Sequence, residues 1–264
     1  MTGIDIRGVT KRFDLDGRSL TALDGIDLSV PEGSFAALIG PSGCGKSTLL
    51  RLVADVFAPS EGVIAVGGRP PREARVNHEI GFVFQAATLL PWRTVMENVR
   101  LPLEISGITP QRSPQALINL VGLTGFEKAK PAQLSGGMQQ RVAIARALVL
   151  QPKVLLMDEP FGALDEITRQ RMNVELLRIW RESGTTAILV THTISEAVFM
   201  ADRVHVLSAN PGRVAGVVDV DLPRPRGIDL MKTSRFNALE NAVRQVLFDD
   251  EGDAAETPRA RAHG

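Results

Sequence analysis

The sequence predicts an α/β fold whose central sheet is mostly parallel. Three features indicate it: apolar runs of strand length recur along the chain, segments with helical apolar spacing alternate with them, and a glycine-rich turn joins one strand to one helix. Alternating apolar positions in the first thirty residues predict an antiparallel β subdomain. From Ala86 to Leu150 the pattern is helical, which predicts an inserted α-helical subdomain.

The glycine-rich turn carries the clearest chemical signal. It matches the pattern G-x-x-x-x-G-K-[S/T] between a predicted strand at Phe35–Ile39 and a predicted helix. Glycines allow backbone N–H groups and the helix N-terminus to point at the phosphates of a nucleotide. The core is therefore predicted to be a P-loop NTPase. We assign the whole turn to nucleotide binding: Gly40, Pro41, Ser42, Gly43, Cys44, Gly45, Lys46, Ser47 and Thr48.

Three side chains of this turn have separate predicted properties. Lys46 supplies a positive charge to the phosphates, and the Ser47 hydroxyl is a ligand for Mg²⁺. Cys44, the only cysteine, is either a small loop residue or a reactive thiol beside a helix N-terminus.

Composition limits the possible functions. The 264 residues suffice for one large α/β core or two modest ones, and 30 Lys+Arg against 30 Asp+Glu argue against a nucleic-acid binder that relies on positive charge. One cysteine excludes an internal disulfide, and neither a signal-peptide pattern nor an apolar run long enough to span a membrane is present. We expect an intracellular protein that serves a membrane only through a partner.

Four polar side chains follow predicted strands, at the sheet edge where ligands of α/β proteins bind. Adjacent strand residues point to opposite sides, so we assign Asp158 to the Mg²⁺ shell and Glu159 to the attacking water. Gln85 can reach Mg²⁺ or a water, and His192 can donate to the γ-phosphate. On spacing alone, the simpler interpretation is that Gln85 is an ordinary loop residue and His192 a structural histidine.

A second anion site is predicted at Ser135-Gly136-Gly137. Ser135 occupies an N-cap position, and apolar residues at helical spacing follow it, so the glycines form the bare start of a helix. Two phosphate-binding helix starts that lie far apart in one chain serve one nucleotide most simply when each comes from a different copy. This predicts a two-fold homodimer with ATP at the interface.

Two further segments have two possible interpretations each, and the end of the chain has one. Phe13 can stack on an adenine ring or fill the core, and the bulky residues Leu89–Trp92 can pack internally or line a groove for a partner helix. Residues 249–264 lack large apolar side chains, which predicts a disordered tail after a domain that spans 1–248.

These motifs, in their order along the chain, resemble those of the ATP-binding subunits of ABC transporters. The resemblance covers essentially the whole chain. The resemblance implies ATP hydrolysis, ATP and Mg²⁺ as ligands, Phe13 as an adenine stacker, and Gln85 and Lys46 as catalytic together with Glu159 and His192. The corresponding segments are Gly40–Thr48 (Walker A), Gln85 (Q-loop), Leu134–Gln140 (signature), Leu155–Glu159 (Walker B), Asp165 (D-loop) and His192 (H-loop).

The resemblance also implies partners and a location. Each of two sites would combine the P-loop side of one chain with Ser135, Gly136 and Gly137 of the other, with Asp165 as a further nucleotide contact. Integral membrane permease subunits would carry the solute, a solute-binding protein would act indirectly, no nucleic acid would bind, and the chain would lie on the cytoplasmic face of the membrane.

Further segments look like those of the nitrate/sulfonate/taurine importer group. These are Leu89–Val99, Leu207–Arg213 and Asp221–Arg226. Thr193 departs from that group, which usually has Asp after the H-loop histidine.

Two other functions stay open at this level. A soluble ABC ATPase of DNA repair or translation is disfavoured because no long coiled coil separates the P-loop from the signature and the net charge is zero. A P-loop small-molecule kinase would leave Ser135-Gly136-Gly137 without a role.

Overall fold

The structure is a computed structural model that describes residues 2–15, 18–110, 112–209 and 211–255. The strands are β1 (Thr2–Leu15), β2 (Arg18–Pro31), β3 (Phe35–Ile39), β4 (Glu61–Val66), β5 (Ile80–Val83), β6 (Val154–Asp158), β7 (Thr186–Val190), β8 (Arg203–Leu207) and β9 (Val214–Asp219). The helices are α1 (Lys46–Val53), α2 (Pro71–Val76), α3 (Val95–Ser106), α4 (Pro114–Leu120), α5 (Gly136–Leu148), α6 (Glu166–Ser183), α7 (Ile194–Met200) and α8 (Ser234–Ala255).

The central sheet has the strand order β5-β6-β7-β3-β8-β9 within the described residues. Every neighbouring pair is parallel except β8 and β9. All five residues of β3, β6 and β7 are buried, as expected when helices cover both faces of a parallel sheet. Because these strands run the same way, the residues that follow them lie along one edge.

A smaller antiparallel sheet with the order β2-β1-β4 packs beside the central sheet. Its inward side chains, among them Ile4, Ile6 and Ile26, share one hydrophobic cluster with Leu38 of β3 and Leu49 of α1. The predicted antiparallel subdomain is confirmed. Its packing on α1 supports the helix that follows the glycine-rich turn.

Helices α3, α4 and α5 lie between β5 and β6 and confirm the predicted helical insertion. Local sequence sets their ends: Thr94 and Glu97 form a reciprocal capping box for α3, and the Ser113 hydroxyl caps α4 before Pro114. Within the described part of the chain, no helix combines the length and apolar character that a membrane crossing requires.

The C-terminal helix is longer than predicted. Helix α8 continues to Ala255, although the sequence suggested a disordered tail from 249 onward. Each residue added to an existing helix gains a backbone hydrogen bond, so the helix extends past its last large apolar residue, Phe248, although the added segment contains three Asp and one Gly, which have low helix propensity. The rest of the predicted tail, 256–264, lies outside the described residues.

His205 lies in β8 and is 3% exposed, and neither of its ring nitrogens has a hydrogen-bond partner. Burial, together with the charge of Arg203, lowers the pKa of His205 to about 4, and the charge of Asp219 partly opposes the shift. The folded protein therefore keeps the imidazole neutral where the unfolded chain binds a proton. Stability falls as pH decreases from about 6.5, the pKa of the unfolded histidine, towards 4.

Replacing His205 with Leu should reduce the loss of stability on acidification. The pKa difference corresponds to about 3 kcal/mol between pH 7 and pH 4. Urea unfolding at a series of pH values measures the slope. His78→Asn is the matched control, because Asn tolerates the positive φ of 57° at that position and should leave the slope unchanged. Equal slopes for His205→Leu and the wild-type protein would contradict the assignment.

Candidate nucleotide-binding and catalytic site

The glycine-rich turn lies between β3 and α1, as predicted. Two of its glycines are required by close packing: a Cβ added at Gly40 would lie 2.4 Å from Leu207 O, and one at Gly45 would lie 2.5 Å from Leu23 Cδ2. Gly45 also has a φ of 90° and is the N-cap of α1. Only glycine adopts this path without strain. The first turn of α1 is thereby placed at the carboxyl edge of the sheet.

Lys46 holds the turn in its curled shape. Its Nζ donates to Gly40 O at 2.7 Å and to Pro41 O at 2.8 Å, and the residue is 7% exposed. Cys44 is fully buried, and its Sγ lies 3.6 Å from Lys46 Nζ. Burial makes Cys44 a packing residue of the loop and removes the interpretation as a reactive surface thiol.

Ser47 and Asp158 meet at the start of α1. The Ser47 hydroxyl donates to Asp158 Oδ1 at 2.8 Å, although 111 residues separate them in sequence. Burial raises the pKa of the Asp158 carboxyl, and the Ser47 hydrogen bond and the charge of Arg51 oppose that shift. The structure thus brings together two oxygen ligands that were assigned to Mg²⁺.

Glu159 and His192 form the second pair at this edge. His192 Nδ1 lies 3.4 Å from Glu159 Oε2. Glu159 follows β6 with a φ of 46°, and its N–H donates to Val190 O of β7 at 3.0 Å. A left-handed non-glycine residue costs about 1–3 kcal/mol, and such residues cluster at active sites. The left-handed turn thus occurs at the residue whose carboxylate meets His192.

Gln85 lies beside the same carboxylate. A Cβ added at Gly162 would be 3.4 Å from Glu159 Oε2 and 3.6 Å from Gln85 Nε2, so both side chains border one small space. Gln140 of α5 donates to Phe84 O at 2.9 Å and fixes the backbone before Gln85. The four strand-end residues are therefore neighbours, as their positions after strands predicted.

Phe13 lies on β1 and is half-buried. Its ring packs edge-on against Phe57 with centroids 5.6 Å apart, and Lys11 Nζ lies 5.1 Å from the Phe13 centroid. Lys11 pairs with Leu23, whose side chain touches Gly45 of the turn. These contacts place Phe13 on the strand that borders the turn, and adenine stacking stays a prediction.

The signature segment stands apart from this cluster. Ser135 accepts the Met138 N–H at 3.3 Å as the N-cap of α5, and both Ser135 and Gly136 are exposed. Among the described residues, no hydrogen bond or ion pair joins Ser135 to residues 40–48. Asp165 likewise caps α6 by accepting the Thr168 N–H at 3.0 Å.

Gly212 supports the glycine-rich turn, a role that no motif in the sequence indicates. A Cβ at Gly212 would lie 2.0 Å from Cys44 O, and Gly212 O accepts the Asp24 N–H at 2.9 Å. The loop before β9 therefore packs directly behind the phosphate-binding turn. A Pro-Gly pair such as Pro211-Gly212 is typical of a turn but carries no information about this long-range contact.

Comparison with known proteins identifies the family. The family model for ABC transporters matches residues 23–162, which include the glycine-rich turn, the signature and the Asp158–Glu159 pair. The chain belongs to the ATP-binding proteins of ABC transporters. The predicted family is confirmed, and the protein is an ATP-binding subunit and an ATPase of this family.

Several curated relatives cover nearly the full chain. An uncharacterised ABC transporter ATP-binding protein of Methanocaldococcus jannaschii is 48% identical, covering 94% of this chain and 92% of its own length. The aliphatic sulfonates import ATP-binding protein SsuB of Bacillus subtilis is 44% identical over 88% of this chain and 89% of its own length. That of Bacillus licheniformis is 45% identical, over 94% and 93% respectively.

Solved ABC cassettes share the fold. The dimeric structure of a bacterial ABC transporter cassette aligns with a TM-score of 0.72 and 34% identity, covering 85% of this chain and all of that chain. A dimeric post-hydrolysis state of the same cassette with ADP and phosphate gives a TM-score of 0.71 and 32% identity over the same shares. The predicted fold class is confirmed.

Replacing Glu159 with Gln should nearly abolish turnover and leave ATP binding intact. The amide keeps the shape of the side chain but cannot accept a proton, so turnover should fall about 10²–10⁴-fold. Phosphate release measures hydrolysis, and fluorescent ATP titration measures affinity. Glu182→Gln is the control, because among the described residues Glu182 forms its ion pair with Arg178 of the same helix, at 2.9 Å. Normal hydrolysis by Glu159→Gln would contradict the role of Glu159.

Proposed function

We propose that two copies of the chain close around two ATP molecules, and that hydrolysis drives uptake of a small sulfonate-like solute through a separate membrane permease. One observation carries this proposal: the two phosphate-binding helix starts lie in different places. Helix α1 begins beside Asp158, Glu159 and His192, whereas Ser135 is exposed at the start of α5. The dimeric assembly of the 34% identical cassette supports a shared site.

Each proposed site combines two chains. One supplies the phosphate cradle and the catalytic side chains, and the other supplies the start of α5 with its free N–H groups and the Ser135 hydroxyl. The exposed Ile167 beside Asp165 favours an interface there, because 67% of this large apolar residue is accessible in the single chain. ATP would then hold the two copies together.

Ser47 and Asp158 fit a magnesium ion. Mg²⁺ prefers oxygen ligands in octahedral geometry and is usually held by one or two protein groups together with substrate phosphates and water. The hydroxyl and carboxylate are 2.8 Å apart, and a cation beside Asp158 would offset the burial of its charge. The Gln85 amide oxygen supplies a third ligand in this proposal. Bound Mg²⁺ would neutralise charge on the phosphates.

The remaining side chains have separate roles in binding and hydrolysing ATP. Glu159 orients the attacking water and accepts its proton, and His192 donates a hydrogen bond to the γ-phosphate from its position beside Glu159. Lys46 contacts the phosphates as a point charge, and Phe13 stacks on the adenine. Positioning and charge stabilisation account for most of the catalysis of phosphoryl transfer.

An apolar groove next to Gln85 is the proposed docking site of the permease. A cavity of about 430 Å³ lies between β5 and the helices α3 and α5. Phe84 and Ile105 line it and are 44% and 77% exposed, and Trp92 nearby in sequence is 68% exposed. An amphipathic helix of the permease fits such a groove. Because Phe84 directly precedes Gln85, a helix that contacts Phe84 would act on the backbone next to Gln85.

The names of two relatives support the proposed solute. The Bacillus proteins at 44% and 45% identity are named for aliphatic sulfonate import, which supports an organic sulfonate as the solute. In this proposal a solute-binding protein delivers the sulfonate to the permease, and the chain lies on the cytoplasmic face of the membrane.

Ser135→Arg should abolish hydrolysis while each chain still binds ATP. The larger cation blocks the shared interface but does not touch the phosphate cradle of its own chain. Phosphate release and fluorescent nucleotide titration give the two readouts. Ser106→Arg, at the end of α3, is the control and should keep full activity. Unchanged turnover by Ser135→Arg would contradict the shared site.

Ile105→Glu should uncouple the chain from its permease. A charge in the apolar groove should abolish co-purification of the permease from native membranes and uptake of labelled alkanesulfonate, while the ATPase of the isolated protein is retained. Val63→Glu is the control, because Val63 is 66% exposed on the antiparallel sheet. Normal uptake with Ile105→Glu would exclude the groove as the docking site. Recovery with ribosomes or DNA would contradict the transport proposal.

A further inference from the structure

The loop that carries His192 is held by a polar cluster outside the family motifs. Thr191 Oγ1 accepts the Thr193 N–H at 3.1 Å and donates its own proton to the Glu196 carboxylate. Thr193 Oγ1 in turn accepts from Arg169 Nη1 at 3.3 Å. The residues on both sides of the histidine are therefore anchored by hydrogen bonds.

Arg169 connects this loop to a second functional segment. It lies one turn into α6, and its Nη2 donates to Leu164 O at 2.9 Å while Nη1 reaches Thr193. The side chain is 16% exposed, and its ion pair with Glu166 is long, at 3.5 Å. The rigid planar fork of a guanidinium suits such a bridge between two acceptors.

Leu164 also touches the start of α5. A Cβ added at Gly136 would lie 3.8 Å from Leu164 Cδ2, and one at Gly137 would lie 3.9 Å from Cδ1. Leu164 thus contacts the signature glycines through its side chain and Arg169 through its carbonyl. A continuous series of contacts runs from Gly136 through Leu164 and Arg169 to the loop of His192.

We propose that Arg169 is a positioning residue that ties His192 to the signature end of its own chain. This inference rests on the proposed dimer, in which the signature end completes the site of the other copy. Nucleotide at that site would fix Leu164 and, through Arg169, the histidine of the opposite site. Because Thr193 is a neutral acceptor, the link is one charge-assisted hydrogen bond, which a single substitution removes.

A double-mutant cycle on the full chain tests this role. Arg169→Met should lower kcat about tenfold and Thr193→Val about threefold, because a hydrogen bond to a charged group is lost. ATP affinity, measured with a fluorescent nucleotide, should not change, since in the described part of the chain neither residue has a hydrogen bond or ion pair to the turn at 40–48. The double variant should match Arg169→Met alone, and Thr193→Ser should recover the wild-type kcat because it keeps the hydroxyl.

The matched control is Arg178→Met on the same helix. Arg178 binds Glu175, Glu182 and Leu120 O, not the His192 loop, so kcat should stay at the wild-type value. A wild-type kcat for Arg169→Met, effects that multiply in the double variant, or equal kcat for Thr193→Ser and Thr193→Val would each overturn the proposal. If Arg169→Met proves unstable in thermal unfolding, the comparison of Thr193→Ser with Thr193→Val decides.

One further measurement separates this inference from the dimer on which it rests. Gel filtration with ATP is run on Glu159→Gln and on Glu159→Gln/Arg169→Met. A dimer in both, together with the lowered kcat of Arg169→Met, supports the positioning role. Failure of Glu159→Gln itself to dimerise contradicts the proposed function, and loss of the dimer only in the double variant contradicts the positioning role.

Discussion

The site depends on the parallel pairing of β3, β7, β6 and β5. Because these strands run in one direction, each ends at the same edge, and the residues after them meet there. The Ser47–Asp158 hydrogen bond joins residues 111 positions apart across this edge. A slip of one residue in the register of β6 would turn Asp158 to the opposite face and remove it from Ser47.

The same edge is linked mechanically to the helical insertion. Gln140 of α5 holds Phe84 O, and Arg146 of α5 donates to Ala87 O and to Thr88 O at 2.8 Å each. These hydrogen bonds tie the segment around Gln85 to α5, which begins at the signature glycines. Helix α5 therefore connects the groove beside Gln85 with the signature glycines. Such a connection suits a protein that couples its nucleotide state to a partner.

The sequence predicted those parts of the fold and site whose local backbone is determined by a short motif. The turn at 40–48, the Ser135 cap and the buried strands all follow from short-range rules. Short-range rules do not predict long-range packing. The contacts of Gly212 with Cys44 and of Arg169 with Thr193 have no local sequence pattern that indicates them. The separate roles of Asp158 and Glu159 were inferred from strand alternation, but the structure adds the left-handed turn at Glu159.

Mixing two inactive variants tests the shared site most directly. In a heterodimer of Lys46→Ala and Ser135→Arg chains, one site carries both defects and the other carries neither. If each site is built from two chains, the mixture should regain up to about a quarter of wild-type ATPase activity, since half of the dimers are mixed and one site of two is intact. If each chain builds its own complete site, the mixture should stay as inactive as its components, and that result would contradict this account.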